Sequence, residues 1–569
     1  MIINLSDFLD NSSVKNSTAA FNAAAESLHD GDTLKLGGGK FDLYPDGAYI
    51  KHYFISNNDA GKKSIALPLI GKRDITIDGE GAELICHGEL LPIVIDGCES
   101  VTIKNLTLDY AYPFYAQAEI VSSDRYHTII RFDNEQFFCN VEPEGRLRFS
   151  SPDGWENITD SILALEFSMS ERYKMPIPSA DKPPYFIYTG KETDHGFLSS
   201  MYKNIQPEQL DSNTIKLHGN IGFMHTVGSY LVMTHATREY PGILVTDSRK
   251  VALSDLTLYH TASMGIVCQL SEDISLSKII ACVRPGSGRL LSCGADATHF
   301  VCCRGKITMQ GCKFTSMMDD GCNIHGIYMK CRARESERVV SASIGHAQQR
   351  GICFCRPGDR VAIIDADRTE TVAVRTVTAA SLVSPDELRV EFDEPIPDIG
   401  NNYLLENRSA SPEVRISGCE CGINRPRGFL LSSAGRTVVE NCKFYNMNQG
   451  IQLGGEMRDW YESGPVDDVL IRGCDFNNSA YAGGAAIYIK PSLYEKTPEN
   501  FFNGRVEING CRFVQSTQRF LIADLIKEII FRNATYICDS SLPYHPKLGD
   551  NGTVVTNCGI IEVTDAKLL

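Results

Sequence analysis

"VRISGCECGI" (residues 414–423) and "VVENCKFYNM" (438–447) decide the fold. Each alternates apolar and polar residues, breaks at Gly or Asn followed by Cys, then resumes as a second short apolar run. The alternation is that of a strand with one buried face. The Gly or Asn step interrupts it as a tight corner does. Cys419 and Cys442 hold the same place in the two copies, 23 residues apart. The pattern recurs at "VTIKNLTLDY" (101–110), "VALSDLTLYH" (251–260), "ISLSKIIACV" (274–283), "ITMQGCKFTS" (307–316), "VLIRGCDFNN" (469–478) and "VEINGCRFVQ" (506–515). A period in the low twenties, built of short strands and corners, marks a solenoid. The LxxLxLxxN pattern of leucine-rich repeats is absent. The expected fold is therefore all-β, a right-handed parallel β-helix whose repeated GC and NC steps form an internal ladder of small side chains.

The ends and the interruptions extend this reading. "STAAFNAAAESLHDG" (17–31) opens with a Ser/Thr cap and spaces Phe21, Ala24, Ala25 and Leu28 as one helix face. It predicts a short helix covering the open N-terminal end of the solenoid, where a sheet edge would otherwise be exposed. Two stretches break the repeat, 112–240 and 331–410. "LDSNTIKLHGN" (210–220) in the first, and "GDRVAIIDADRTETVAVRTVTAASLV" (358–383) with "SPDELRVEFDE" (384–394) in the second, alternate between turn residues. Both stretches are expected to be inserted antiparallel, barrel-like β subdomains. The β-helix core then comprises 1–111, 241–330 and 411–569.

The 569 residues are 43% hydrophobic and 22% charged, with net charge -16 and pI about 5.4. An acidic chain without a Lys/Arg run argues against nucleic acid and anionic membrane as partners. No run of eighteen apolar residues predicts a membrane span. "MIINLSDFLDNSSVKNS" lacks the basic and apolar regions of a signal peptide. The expectation is a cytoplasmic protein, or an exported one whose leader has been removed. The 20 cysteines occur as CC or CxC but never as CxxC, which argues for buried free thiols over zinc knuckles or disulfides.

"MMDDGCNIH" (317–325) carries the densest chemistry. Asp319 and Asp320 fall at a strand end and a corner. Asp296, in "CGADATHF", lies one period upstream, so coil stacking brings it beside Asp319 or Asp320. Three crowded carboxylates raise at least one pKa and leave another ionised, as a glycosidase requires. A calcium site and a solvated acidic corner are the alternatives at this stage. Asn323 and His325 sit at alternate positions of the same segment, with His299 one coil back. Arg427 heads the strand after "NRPRG". Trp460 and Glu462, in "GEMRDWYESGP", combine an aromatic face with an acid that sugars could use. For each of these residues an ordinary structural role competes with substrate binding.

Taken together, "ADATHF" (295–300), "MDDGCNIHG" (318–326), "WYESGPV" (460–466) and "HYFISNND" (52–59) resemble glycoside hydrolase family 110, over the whole chain. The resemblance implies a β-helix with β-barrel insertions and an inverting, exo-acting α-1,3-galactosidase. Such an enzyme releases terminal galactose from the branched blood group B antigen or from linear α-galactosides. It implies Asp319 as general acid, with Asp296 and Asp320 holding and activating the attacking water, and no metal or other cofactor. A galactose-terminated glycan is the implied partner, and a solenoid flank offers room for a homodimer. The competing readings are another β-helix carbohydrate enzyme, such as a polygalacturonase-like hydrolase or a polysaccharide lyase, and a non-catalytic glycan-binding solenoid. A lyase would want a basic residue in the "DD" segment, and a pure binder gains nothing from three crowded acids.

Overall fold

The computed structural model describes residues 1–10, 15–133, 135–159, 162–167, 206–218, 225–235, 238–481, 484–494, 500–515, 519–539, 542, 553–565 and 567–568. The chain winds into a parallel β-helix of stacked coils, each contributing short strands to the same three faces. On the first face the apolar position of the repeat stacks in one continuous ladder. Leu34, Ile77, Ile103, Leu253, Leu276 and Met309 are successive register partners. The ladder continues through Ile416, Val439, Ile471 and Ile508 to Phe531. On the second face Phe444, Phe476 and Phe513 stack with ring centroids 5.0 and 4.9 Å apart. Like residues align because one coil returns the chain to the same face, one strand spacing along the axis.

The corner steps explain the GC and NC motifs. Gly311, Gly418, Asn441, Gly473 and Gly510 all have positive φ, between 55° and 65°. Only Gly, and to a lesser degree Asn, adopts that conformation readily. The following cysteines form the expected ladder: the backbone N–H of Cys419 donates to Cys442 Sγ at 3.4 Å, and that of Cys312 to Cys419 Sγ at 3.4 Å. All twenty cysteines are free thiols and only Cys538 is exposed.

The helix spans Thr18–Ser27 and buries Phe21, Ala24 and Ala25 in the same core as Leu34, Ile77 and Leu84. Its cap differs from expectation. The Ser17 side chain makes no capping bond, and Asn16 Oδ1 accepts from the Thr18 N–H at 3.0 Å. Thr18 Oγ1 is drawn instead to the Tyr44 carbonyl.

Both interruptions are antiparallel. In the first, six strands order as Ile162–Phe167, Tyr230–His235, Tyr115–Ser123, His127–Phe132, Thr214–His218 and Gln206–Gln209. Among the described residues this sheet is open, not barrel-closed. Residues 219–220 of the "LDSNTIKLHGN" stretch lie outside the described residues. In the second, Cys322–Arg334 pairs with Val339–Ile344, then Glu387–Phe392, Glu370–Ser384, Arg360–Asp365 and Tyr403–Asn407, which returns to Cys322–Arg334. That is a closed six-stranded barrel with its own core around Val340, Ile363, Val390 and Leu405. The strand Cys322–Arg334 belongs to both bodies: its first residues are a coil of the solenoid and its last a barrel stave.

Candidate active site

The third face of the solenoid positions the carboxylates. Thr298 pairs with Cys322, and Cys322 with Phe429. Two residues ahead of each, Asp296, Asp320 and Arg427 therefore stand on consecutive coils. The backbone bonds Ala297 N–H to Asp320 O (2.9 Å) and Gly321 N–H to Arg427 O (3.2 Å) carry that register through the corner. Asp320, not Asp319, is the register partner of Asp296, at a separation of 24 residues. Gly321 is required where it stands, since a Cβ there would lie 2.2 Å from Cys421 Sγ and 2.8 Å from the Gly428 carbonyl.

The three carboxylates are buried, and one oxygen of each lies within 4.8 Å of the others. Such a spacing would suit a cation, but guanidinium groups already supply positive charge. Arg427 donates to Asp320 Oδ1 through its backbone N–H (3.1 Å) and Nε (2.9 Å), and its Nη2 lies 2.9 Å from Oδ2. Arg238 Nη2 donates to Asp319 Oδ2 at 2.5 Å, and Arg425 Nη2 to Oδ1 at 3.4 Å. Asn424 Nδ2 holds the Asp319 carbonyl at 2.8 Å.

The environments push the three acids apart. Burial, reinforced by the charge of Asp319, raises Asp296 to about 7. Burial raises Asp320 to about 8 against the pull of Arg427, with Asp319 and Asp296 adding to the rise. Asp319 is buried too, but Arg238, Arg425 and Arg427 outweigh that and hold it below the ordinary carboxylate value. It is also the most open of the three side chains, 12% exposed against 4% for Asp296 and 1% for Asp320.

The other sequence-predicted residues divide. His299 and His325 stand behind the carboxylates with both ring nitrogens engaged inside the protein, so neither is free to meet a sugar hydroxyl. His299 Nδ1 lies 2.6 Å from Asp296 Oδ2, and the two Nε2 atoms lie 3.1 Å apart. Asn323 Nδ2 reaches Glu462 Oε2 at 3.5 Å, and His325 Nε2 lies 3.5 Å from Glu462 Oε1. Arg427 is committed to Asp320 rather than exposed. Trp460 is half-buried and its ring rests on His346 of the second insertion, 4.3 Å away. Sequence reasoning missed Arg238, Arg425 and Asn57, whose Nδ2 donates to Glu462 Oε1 at 2.9 Å. Asn57 lies in "HYFISNND", a segment the resemblance had marked. Arg238, at the far end of the first insertion, carried no local signal.

The family model described as GLAA-B beta-barrel domain II matches residues 340–400, most of the closed barrel. Alpha-1,3-galactosidase B of Bacteroides thetaiotaomicron is 28% identical over 578 residues, covering 100% of this chain and 91% of its own length. Alpha-1,3-galactosidase A of Shewanella woodyi is 29% identical, and that of Bacteroides fragilis 28%; each match covers 90% of this chain and 82% of the relative. Among solved structures, a family 28 exopolygalacturonase of Yersinia enterocolitica aligns with 99% of this chain and 78% of its own at 10% identity. The TM-score of that alignment is 0.41.

Proposed function

We propose that this protein, which belongs with the α-1,3-galactosidases of glycoside hydrolase family 110, is an exo-acting α-1,3-galactosidase that removes terminal galactose from glycans. The observation that carries this reading is the buried carboxylate cluster of Asp296, Asp319 and Asp320, in a chain that aligns along its length with proteins of that name. Two carboxyl groups with different proton affinities are the minimum for glycoside hydrolysis, and the site supplies three.

In this reading Asp319 donates the proton to the leaving oxygen, while Asp296 and Asp320 hold the attacking water. The greater exposure of Asp319 supports its role, because the glycosidic oxygen must approach from solvent. Its guanidinium partners oppose it, since they favour the ionised form. Substrate must therefore displace Arg238 Nη2 from Asp319 Oδ2, and the carboxylate must take up a proton from solvent, which burial favours and Arg425 and Arg427 still oppose. Inversion of the anomeric centre is taken from the resemblance. It calls for an acid and base about 6.5–9.5 Å apart, a gap wider than the closest approach of these oxygens.

One assay tests the reading. The protein is incubated with a linear Galα1-3Gal disaccharide and with the branched, fucosylated B trisaccharide, and the released sugar is followed by NMR. Galactose appearing first as the β-anomer is expected. First appearance as the α-anomer overturns inversion, and no galactose from either substrate overturns the function. The ratio of the two rates reports the linear or branched preference.

A further inference from the structure

Behind the carboxylates runs a line of buried groups that the hydrolytic reading leaves unused. His325 Nδ1 lies 2.6 Å from the Gly326 carbonyl oxygen. A carbonyl only accepts, so Nδ1 carries the hydrogen. A neutral His325 then presents a bare Nε2, and His299 Nε2, 3.1 Å away, must donate to it. A neutral His299 then presents a bare Nδ1 to Asp296 Oδ2 at 2.6 Å. Two acceptors do not sit at that distance, so a proton lies between them. The alternative order moves one proton along the same line: Asp296 is ionised, His299 donates from Nδ1, and His325 is protonated at both nitrogens. In that order His325 Nε2–H faces Glu462 Oε1, 3.5 Å away. Both orders, and the intermediate one in which Asp296 is ionised and His299 is protonated at both nitrogens, hold the same number of protons and differ only in where the extra one rests.

The surroundings decide among them: burial lowers the proton affinity of both rings and favours the proton on Asp296, and the charge of Glu462 opposes it and favours His325. Glu462 is anchored by Asn57 Nδ2 at 2.9 Å and Asn323 Nδ2 at 3.5 Å, and Arg427 adds a favourable charge from the solenoid face. Glu456 of its own hairpin opposes it. Asp296 is faced by Asp319 and Asp320 from the next coil, by Arg427 from the coil after, and by Arg238 from the end of the first insertion. The side chains of His299 and His325 are essentially sealed from solvent, so the proton has no exit to water along this line.

We propose that His299 and His325 are positioning residues of a two-histidine proton relay, and that Glu462 draws the shared proton to the far end and leaves Asp296 ionised to receive a proton from the attacking water. The step is a proton shift alone: the Asp296 carboxyl proton passes to His299 Nδ1 as the His299 Nε2 proton passes to His325 Nε2. No heavy-atom bond forms or breaks. The kinetic part rests on the galactosidase reading; the spectroscopic part does not, because it is read on the free protein.

The test uses Glu462→Gln in the full chain, with 15N-labelled histidine. In the wild type the His325 side-chain 15N shifts are expected to report both nitrogens protonated near neutral pH, and in Glu462→Gln a bare Nε2. On a galactoside, Glu462→Gln is expected to move the acid limb of the kcat/KM profile upward by about one pH unit and to lower the rate near neutrality about tenfold. Glu462→Asp should restore much of both. Should Glu462→Gln fail to fold, His325→Gln, which cannot take up a proton, is expected to shift the profile the same way. A neutral His325 in the wild type, or an acid limb unmoved in the variant that folds, overturns the proposal. Loss of galactosidase activity in the wild type with the histidine signature intact would sink the functional reading and leave the relay standing.

Discussion

At the scale of single residues, the site is a contest between burial and guanidinium charge. Asp319 shows the outcome most openly, since its two oxygens face Arg238 and Arg425. Asp319→Asn removes the proton donor and keeps one acceptor oxygen, while its NH2 faces the other arginine as a donor. Turnover is expected to fall by about 10²–10⁴-fold, with the thermal transition moved by no more than a few degrees. A collapse of the transition instead would make Asp319 structural. Asp296 leads to a pH prediction. Its folded-state affinity for a proton is raised, to about 7, so the folded protein binds more protons than the unfolded chain between the ordinary carboxylate range and that value. The stability this confers is fully present at low pH and is lost as pH rises toward neutrality. Asp296→Asn removes that titration, and its amide can either donate to His299 Nδ1 or accept from it, so a hydrogen bond survives in either order of the histidine line. Melting temperatures measured at about pH 5 and about pH 8 should fall less across that interval in Asp296→Asn than in the wild type. An equal fall in both would count against the raised affinity.

At the scale of elements, the coil works as a register device. The corner cysteines and the Phe444–Phe476–Phe513 stack lie inside the solenoid, where each coil adds the same apolar volume. Phe513→Ala removes a fully buried ring that packs against Phe476. The expected cost is about 3–5 kcal/mol, seen as an earlier onset of unfolding, with kcat/KM at room temperature unchanged because Phe513 lies several coils beyond Asp320. A matched loss of activity by the molecules that remain folded would show the coils to be coupled to the site. The corners were legible in the sequence because GC and NC steps are local: a residue tolerant of positive φ is followed by one that fits the interior. The pairing of Asp296 with Asp320 was not legible, because the offset there is 24 residues where the Cys419–Cys442 step elsewhere in the solenoid is 23. A shift of one residue cannot be read from periodicity when the intervening corner is irregular.

At the scale of the whole molecule, the site is assembled from distant parts. Asn57 comes from the N-terminal hairpin, Arg238 from the end of the first insertion, the aspartates and Arg427 from the solenoid, and Glu462 from a later hairpin. The barrel of the second insertion braces this assembly. Gln349 Nε2 donates to the Trp460 carbonyl at 2.6 Å, and the Asn57 N–H donates to the Gln348 carbonyl at 2.9 Å. The net charge of -16 offers no long-range attraction to polyuronides. Hydrolysis of a neutral galactoside is accordingly expected to vary by less than about twofold as salt rises from about 0.05 to about 0.5 M, and to persist in a chelator. Polygalacturonate should not be cleaved. Inactivation by a chelator would return the carboxylate cluster to the cation reading.

The sequence by itself determined the solenoid, the free thiols, the presence of two insertions and the identity of the three acids, because each of these is written in local periodicity or in residue type. Only the tertiary structure decided which acid pairs with which, that one insertion closes into a barrel while the described strands of the other form an open sheet, and that His299 and His325 lie behind the carboxylates. It alone placed Arg238 on Asp319, the contact that sets the charge of the proposed acid. The physical reason is the same in every case: electrostatic environment and strand closure depend on contacts between residues far apart in the chain, and neither leaves a periodic trace along it.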